Sequence, residues 1–85
     1  MKVLIPSPLL SYTNKREVDA FGATLGELLL HLEQQYPGIR FRVIDEQDRM
    51  RGHMRFFVNG EQVFALGRVL KDSDSVQIVQ ALSGG

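Results

Sequence analysis

The 85-residue chain contains no cysteine and no tryptophan. Without cysteine there are no disulfides, no thiolate catalysis and no cysteine-ligated zinc, a composition that fits a reducing compartment. An excess of either charge is missing too: ten basic side chains balance ten acidic ones, so no net field draws the molecule toward nucleic acid or an anionic membrane. No apolar run approaches the length of a membrane span. The opening segment Met1 to Pro6 is too short for the hydrophobic region of a signal peptide. A cytoplasmic protein is the expectation.

Conventional active-site chemistry is scarce as well. His31 and His53 stand outside any metal-ligand spacing with carboxylates. Both read as surface residues, and no metal site is expected. Ser7, Ser11, Ser73, Ser75 and Ser83 lack the surroundings of an activated nucleophile, and no glycine-rich loop joins a strand to a helix where a phosphate would sit. A self-contained enzyme is therefore not expected, nor a cofactor held by this chain.

What is present suits one small domain. At this size only about 60 to 65% of the unfolded surface is buried, so the core must be economical, and 44% hydrophobic with 24% charged residues is ordinary for a globular protein. Six of the seven arginines, Arg40, Arg42, Arg49, Arg51, Arg55 and Arg68, are interleaved with Asp45, Glu46, Asp48 and Glu61. A solvated, mixed-sign surface is the reading.

Lys2 to Ile5 is a short apolar run stopped by Pro6 and Pro8, which predicts a central strand buried on both faces. A polar turn from Ser11 to Arg16 and a return strand from Glu17 to Phe21 follow. Thr24-Leu25-Gly26-Glu27 is a capping-box pattern opening a helix. Leu25, Leu28, Leu29, Leu32 and Tyr36 recur on one helical face, and Pro37-Gly38 ends the run. Leu30 falls off that stripe and is expected exposed.

Ile39, Val43 and Ile44 suggest a brief helical turn, and Asp45 to Gly52 a loop. Met54, Phe56 and Val58 mark a strand, Asn59-Gly60 a type I′ hairpin turn, and Gln62 to Phe64 its partner. Asp72 to Ser75 is a turn before a last strand at Val76 to Val79. The order β-β-α-β-β-β predicts an α+β, β-grasp (ubiquitin-like) fold: a mixed sheet of four to five strands, one main helix packed across it, and first and last strands parallel. Residues 1–81 form the expected domain and residues 82–85 a flexible tail.

The tail ends in Gly84-Gly85. At an average glycine content of about 7%, such a pair arises by chance in about one chain in two hundred. A tail threaded into another protein's active site must be narrow and free in φ and ψ, and glycine has no Cβ to shield its carbonyl carbon. The free carboxylate, with an ordinary pKa of about 3.3 to 3.7, is an unreactive anion at neutral pH. It must first gain a good leaving group, and nothing in the sequence could bind ATP, so activation would fall to a separate enzyme. A purification scar, a linker or a frayed end are the plain alternatives.

Thr24-Leu25-Gly26-Glu27-Leu28-Leu29 through Tyr36-Pro37-Gly38-Ile39, Phe57-Val58-Asn59-Gly60-Glu61, Leu70-Lys71-Asp72-Ser73-Asp74-Ser75-Val76-Gln77-Ile78 and terminal Gly84-Gly85 together resemble the MoaD/ThiS family of ubiquitin-like sulfur carrier proteins. Within it, the length and the Tyr-Pro-Gly are closer to the molybdopterin-synthase small subunit and cysteine-pathway branch. The resemblance implies that an E1-like adenylyltransferase adenylates Gly85 with ATP and Mg²⁺. A sulfur donor protein or sulfide then displaces AMP to leave a thiocarboxylate, and a downstream synthase accepts the sulfur. The chain would be a cosubstrate or the non-catalytic small subunit of a synthase.

By analogy, the sheet face near Val79 and the tail residues Leu82, Ser83 and Gly84 dock on the activating enzyme. One departure is Ser73, where family members commonly carry glycine; a positive φ there would strain serine. Two other readings stay open. One is a ubiquitin-like modifier that passes Gly85 to a lysine amine. The other is a β-grasp module that binds RNA or protein through its arginine-rich middle.

Overall fold

The computed structural model describes residues 1–81, and the expected tail, residues 82–85, lies outside the described residues. Strand β1 (Lys2–Leu4) leads through a 3₁₀ turn (Ser7–Leu9) and a helical turn α1 (Leu10–Thr13) to β2 (Glu17–Asp19). Helices α2 (Leu25–Gln35) and α3 (Ile39–Val43) follow, then β3 (Met54–Val58), β4 (Glu61–Val63) and β5 (Ser75–Gln80). One five-stranded sheet results, in the order β2-β1-β5-β3-β4. Parallel pairing of β1 with β5 is flanked by antiparallel pairs. This is the β-grasp arrangement, with all five strands formed.

Alternation along the strands decides which face is covered. Val18, Val3, Val76 and Val58 stand in register across four strands, and Ile78, Phe56 and Val63 across three; all seven are buried. Against them lies α2, whose Leu25, Leu28, Leu29 and Leu32 are buried, each contributing about 1.5 to 3 kcal/mol. Leu30, off the stripe, is 51% exposed.

The expected burial of β1 on both faces is corrected here. Lys2 is exposed and Leu4 only half-buried, because among the described residues α2 covers the other side of the sheet and no helix of its length lies over theirs. The first half of the polar turn expected from Ser11 to Arg16 is helical, and the chain turns over Asn14 to Arg16. Pro8 suits the first turn of a helix, Leu9 is buried beneath it, and Asn14, at φ 57°, ends it in the left-handed region. Strand β2 stops at Asp19, short of the expected Phe21, while β5 is longer than expected by a residue at each end.

Helix α2 starts as its sequence specifies, with the Thr24 hydroxyl accepting from the Glu27 amide at 3.2 Å. The reciprocal Glu27 carboxylate bond does not form among the described residues. The other first-turn amides, Leu25 and Gly26, donate to the carbonyls of Arg68 and Leu66, so the segment before β5 satisfies groups that a helix start leaves open. Gly22 lets this start approach closely: a Cβ there would lie 2.3 Å from the Leu28 nitrogen. At the far end Gly38 turns the chain at φ 97°. The Glu33 carboxylate then accepts from the amides of Gly38 at 2.7 Å and Arg40 at 2.9 Å, tying α2 to the start of α3.

Candidate functional site

The last strand fixes where the chain leaves the sheet. At its start, Asn59 and Gly60 take positive φ values of 51° and 84°, the requirement of a type I′ turn. Asn59 also reaches across to β5. Its Nδ2 donates to Asp74 Oδ1 at 2.8 Å, and its Oδ1 accepts from the Ser75 amide at 2.9 Å. The other Asp74 oxygen accepts from the Lys71 amide at 2.8 Å. That bond, then the Asn59 bond, holds the Asp74 carboxyl below its usual pKa of 3.8. Ser73 is not among the positive-φ residues, so serine sits in this turn without strain.

From there β5 runs between β1 and β3, with Met54 opposite Gln80. The Ala81 amide donates to the His53 carbonyl at 2.7 Å. The chain is thus anchored up to the residue before Leu82. Leu82, Ser83, Gly84 and Gly85, named above as tail and acyl-carrying residues, lie outside the described residues. Val79 is described: half-buried, opposite Arg55. It faces the uncovered side of the sheet, where it lines a groove of about 450 Å³ with Leu4, Pro6, Pro8, Arg16 and Gln77.

A second, smaller cavity of about 260 Å³ is walled by Phe41, Arg42, Arg51 and His53, the last of which accepts the Ala81 amide through its carbonyl. Phe41 and Arg51 were not singled out as a pair from the sequence. They are ten residues apart with no periodic relation, and only the packing of α3 against the following loop joins them. That loop is tighter than its polar composition suggests. Ile44 bridges Met50, and Asp45 Oδ1 accepts from the amides of Gln47 and Arg49 at 2.9 and 3.0 Å. The Arg49 amide is the largest cause holding the Asp45 carboxyl below its usual value; burial opposes it, and the Gln47 amide and the Arg49 charge add to the lowering.

His31 is more than a surface residue: half-buried, its Nδ1 accepts from the Phe21 amide at 2.9 Å, pinning the segment after β2 to α2. Among the described residues no three His, Asp or Glu side chains gather as metal ligands do. No helix among them is long and apolar enough to cross a membrane. What these residues provide is a rigid stalk with two concavities beside the point where the chain departs.

Known proteins share this arrangement and more. The model of the ThiS family matches residues 3–85. The sulfur carrier protein CysO of Mycobacterium tuberculosis (strain ATCC 25618 / H37Rv) is 36% identical over 89 aligned positions, covering 98% of this chain and 96% of the relative. A chain of the crystal structure of the Amycolatopsis orientalis BexX/CysO complex superimposes with a TM-score of 0.91 at 32% identity, over 99% of this chain and 98% of that one. The crystal structure of small archaeal modifier protein 1 from H. volcanii gives a TM-score of 0.80 at 26% identity, over 96% and 97% of the two chains. With a family match spanning almost every residue and relatives aligned end to end, this chain belongs to the ThiS family of ubiquitin-like proteins.

Proposed function

We propose that this protein is a sulfur carrier, a cosubstrate rather than a catalyst, which bears sulfur as a thiocarboxylate on Gly85. The observation that carries the reading is the diglycine at positions 84 and 85, within a family match that runs through residue 85 and beyond a last strand that ends at Gln80. Residues 82–85 extend the reach by at most about 14 Å past Ala81. A partner's active site must therefore close in on the residues around the exit.

The chemistry follows from the carboxylate's inertness. In the active site of an E1-like adenylyltransferase, the Gly85 carboxylate attacks the α-phosphorus of ATP, pyrophosphate leaves, and a mixed anhydride with AMP forms. That enzyme consumes the ATP and uses Mg²⁺ to hold it, and this chain binds no cofactor of its own. Sulfide attacking the acyl carbon expels AMP and leaves the thiocarboxylate directly. A persulfide-bearing donor protein instead gives an acyl disulfide, whose S–S bond a thiol then cleaves reductively. The thiocarboxylate sulfur is a softer and stronger nucleophile than the oxygen it replaces. A downstream synthase takes the sulfur into a product, and hydrolysis returns the carboxylate. Gly84, Ser83 and Leu82 thread the partner site while Val79 contacts its surface, all in the cytoplasm, where ATP is available.

Removal of Gly85 tests the reading. Intact mass of the parent, incubated with the adenylyltransferase, ATP and a sulfur source, is expected to show a sulfur-for-oxygen exchange. The truncation is expected to show none, with its thermal midpoint unchanged because the core cluster is complete with residues up to Ile78. Sulfur transfer retained without Gly85 would overturn the assignment. The likeness to an archaeal modifier protein favours a second reading, transfer of Gly85 to lysine amines. Isopeptide-linked adducts in place of the thiocarboxylate would establish it.

A further inference from the structure

We propose that the cavity formed by Phe41, Arg42, Arg51 and His53 docks a carboxylate-bearing segment of the enzyme that acts on the terminal glycine. The proposal rests on the function above, since a tail reaching at most about 14 Å past Ala81 forces that enzyme onto the exit. His53 itself accepts the Ala81 amide, so this cavity stands directly beside the departing chain.

The cavity carries uncompensated positive charge. The chain as a whole is balanced, and three arginines are neutralised within it: Arg40 by Asp48 at 3.1 Å, Arg49 by Asp45 at 3.4 Å and Arg68 by Glu61 at 3.2 Å. Arg42 and Arg51 have no ion-pair partner among the described residues, and no carboxylate lines the cavity they share. Arg16 and Arg55 are likewise without an ion pair among the described residues, and Arg42 and Arg51 are the two such arginines that wall this cavity together.

Arg51 is also held in place before any partner arrives. Its Nε donates to the Phe41 carbonyl at 2.7 Å, and its guanidinium carbon sits 4.6 Å from the centre of the Phe41 ring. The terminal nitrogens remain as a planar pair of donors, the geometry that takes a carboxylate through two parallel hydrogen bonds. Phe41 is 55% exposed, an aromatic surface beside the cation of the kind that anchors interfaces. An unpaired, preoriented cation steers an acidic partner and fixes its orientation on the tail.

The experiment is calorimetric titration of the full-length carrier into the E1-like adenylyltransferase of the same organism, across a range of salt. Reversing both charges, Arg42→Glu with Arg51→Glu, is expected to weaken Kd by more than about tenfold in about 50 mM salt. The gap should narrow as salt rises. Arg51→Lys, which keeps the charge and loses the planar fork, should fall between the two. If the double variant does not fold, Arg42→Glu alone, on an exposed side chain, carries the test.

A Kd and salt dependence within about twofold of the parent would overturn the proposal. So would tighter binding to a short single-stranded RNA than to the enzyme, lost in the same variants. Mass analysis separates this proposal from the one it rests on. A parent that binds the enzyme through these charges yet gains no sulfur overturns the carrier function alone. Charge variants that acquire sulfur with unchanged Kd overturn the docking site alone.

Discussion

The two faces of the sheet are built from the same strands and share almost no chemistry. On the face under α2, valine meets valine across four strands and Phe56 lies between Ile78 and Val63. On the other, one row reads Glu17, Leu4, Gln77, Phe57 and Gln62 across all five strands, and the next sets Val79 against Arg55. The first row excludes water and cannot be altered without opening a void. The second mixes apolar, amide and charged groups that the fold itself does not need, which leaves it free to serve a partner.

Adjacent residues on β3 give the sharpest way to break that comparison. Phe56→Ala is expected to cost about 3 to 5 kcal/mol, since the ring is fully buried and the neighbours relax only in part. Phe57→Ala, one residue along and pointing away from the core, should cost less than about 1 kcal/mol. Chemical denaturation of both variants measures the difference, and equal losses would mean that the open face is structural after all. Gly22→Ala comes next. Its Cβ would press on backbone atoms of α2 at 2.3 and 2.8 Å, so the helix must lift from the sheet at a cost of about 1 to 3 kcal/mol. An unchanged denaturation midpoint would show that the covered face does not depend on this close approach.

Much of the covered face was legible in the sequence because it rests on local periodicity. The leucine stripe, the Thr24 cap and the Asn59-Gly60 turn are each set within a few residues, and each stands where its pattern placed it. What local pattern does not encode is the company an element keeps. Lys2 to Ile5 reads as an apolar run whether one or two layers cover it, and Leu4 is half-buried because α2 covers the opposite face. The short helical turn at Leu10–Thr13 was missed because Ser11, Thr13 and Asn14 carry turn signals, while its support comes from Leu9 buried in the core. The Val-Asn-Gly and Asp-Ser-Asp segments read as two separate turns. Their joining through Asn59 and Asp74, fifteen residues apart, needs the β3–β5 pairing to exist first. At the exit the same limit holds: Phe41, Arg51 and His53 meet only once α3 has packed. The terminal glycines stand out by their position, carboxylate chemistry says only that such an end needs activation, and the sulfur cycle itself follows from the family resemblance.

The Asn59 junction ties the β3–β4 turn to the start of β5, and it offers a finer test of which groups the fold needs. Asn59→Ala removes two side-chain hydrogen bonds to Asp74 and Ser75. It also places alanine at a positive φ, a total expected cost of about 1 to 2 kcal/mol in the denaturation midpoint. A cost near that of Phe56→Ala would place this edge on the same footing as the core.

The smallest predicted effect is on pH dependence and concerns Asp74. Its carboxyl is held below the usual 3.8 in the folded protein, by the Lys71 amide first and the Asn59 amide second. The folded state therefore binds a proton less readily than the unfolded chain. The stabilisation is present in full above 3.8 and is lost as pH falls through the depressed folded value. Asp74→Asn should lower the thermal midpoint slightly at neutral pH, and the gap to the parent should close as pH falls below 3.8. Asp45 is depressed in the same direction, but it lies in a separate loop and titrates alike in both proteins, so it cancels in the difference. Thermal midpoints of parent and variant across the acid range measure the gap directly. A gap that stays constant or widens toward acid would mean that the two turns are joined by shape alone, with no contribution from the charge on Asp74.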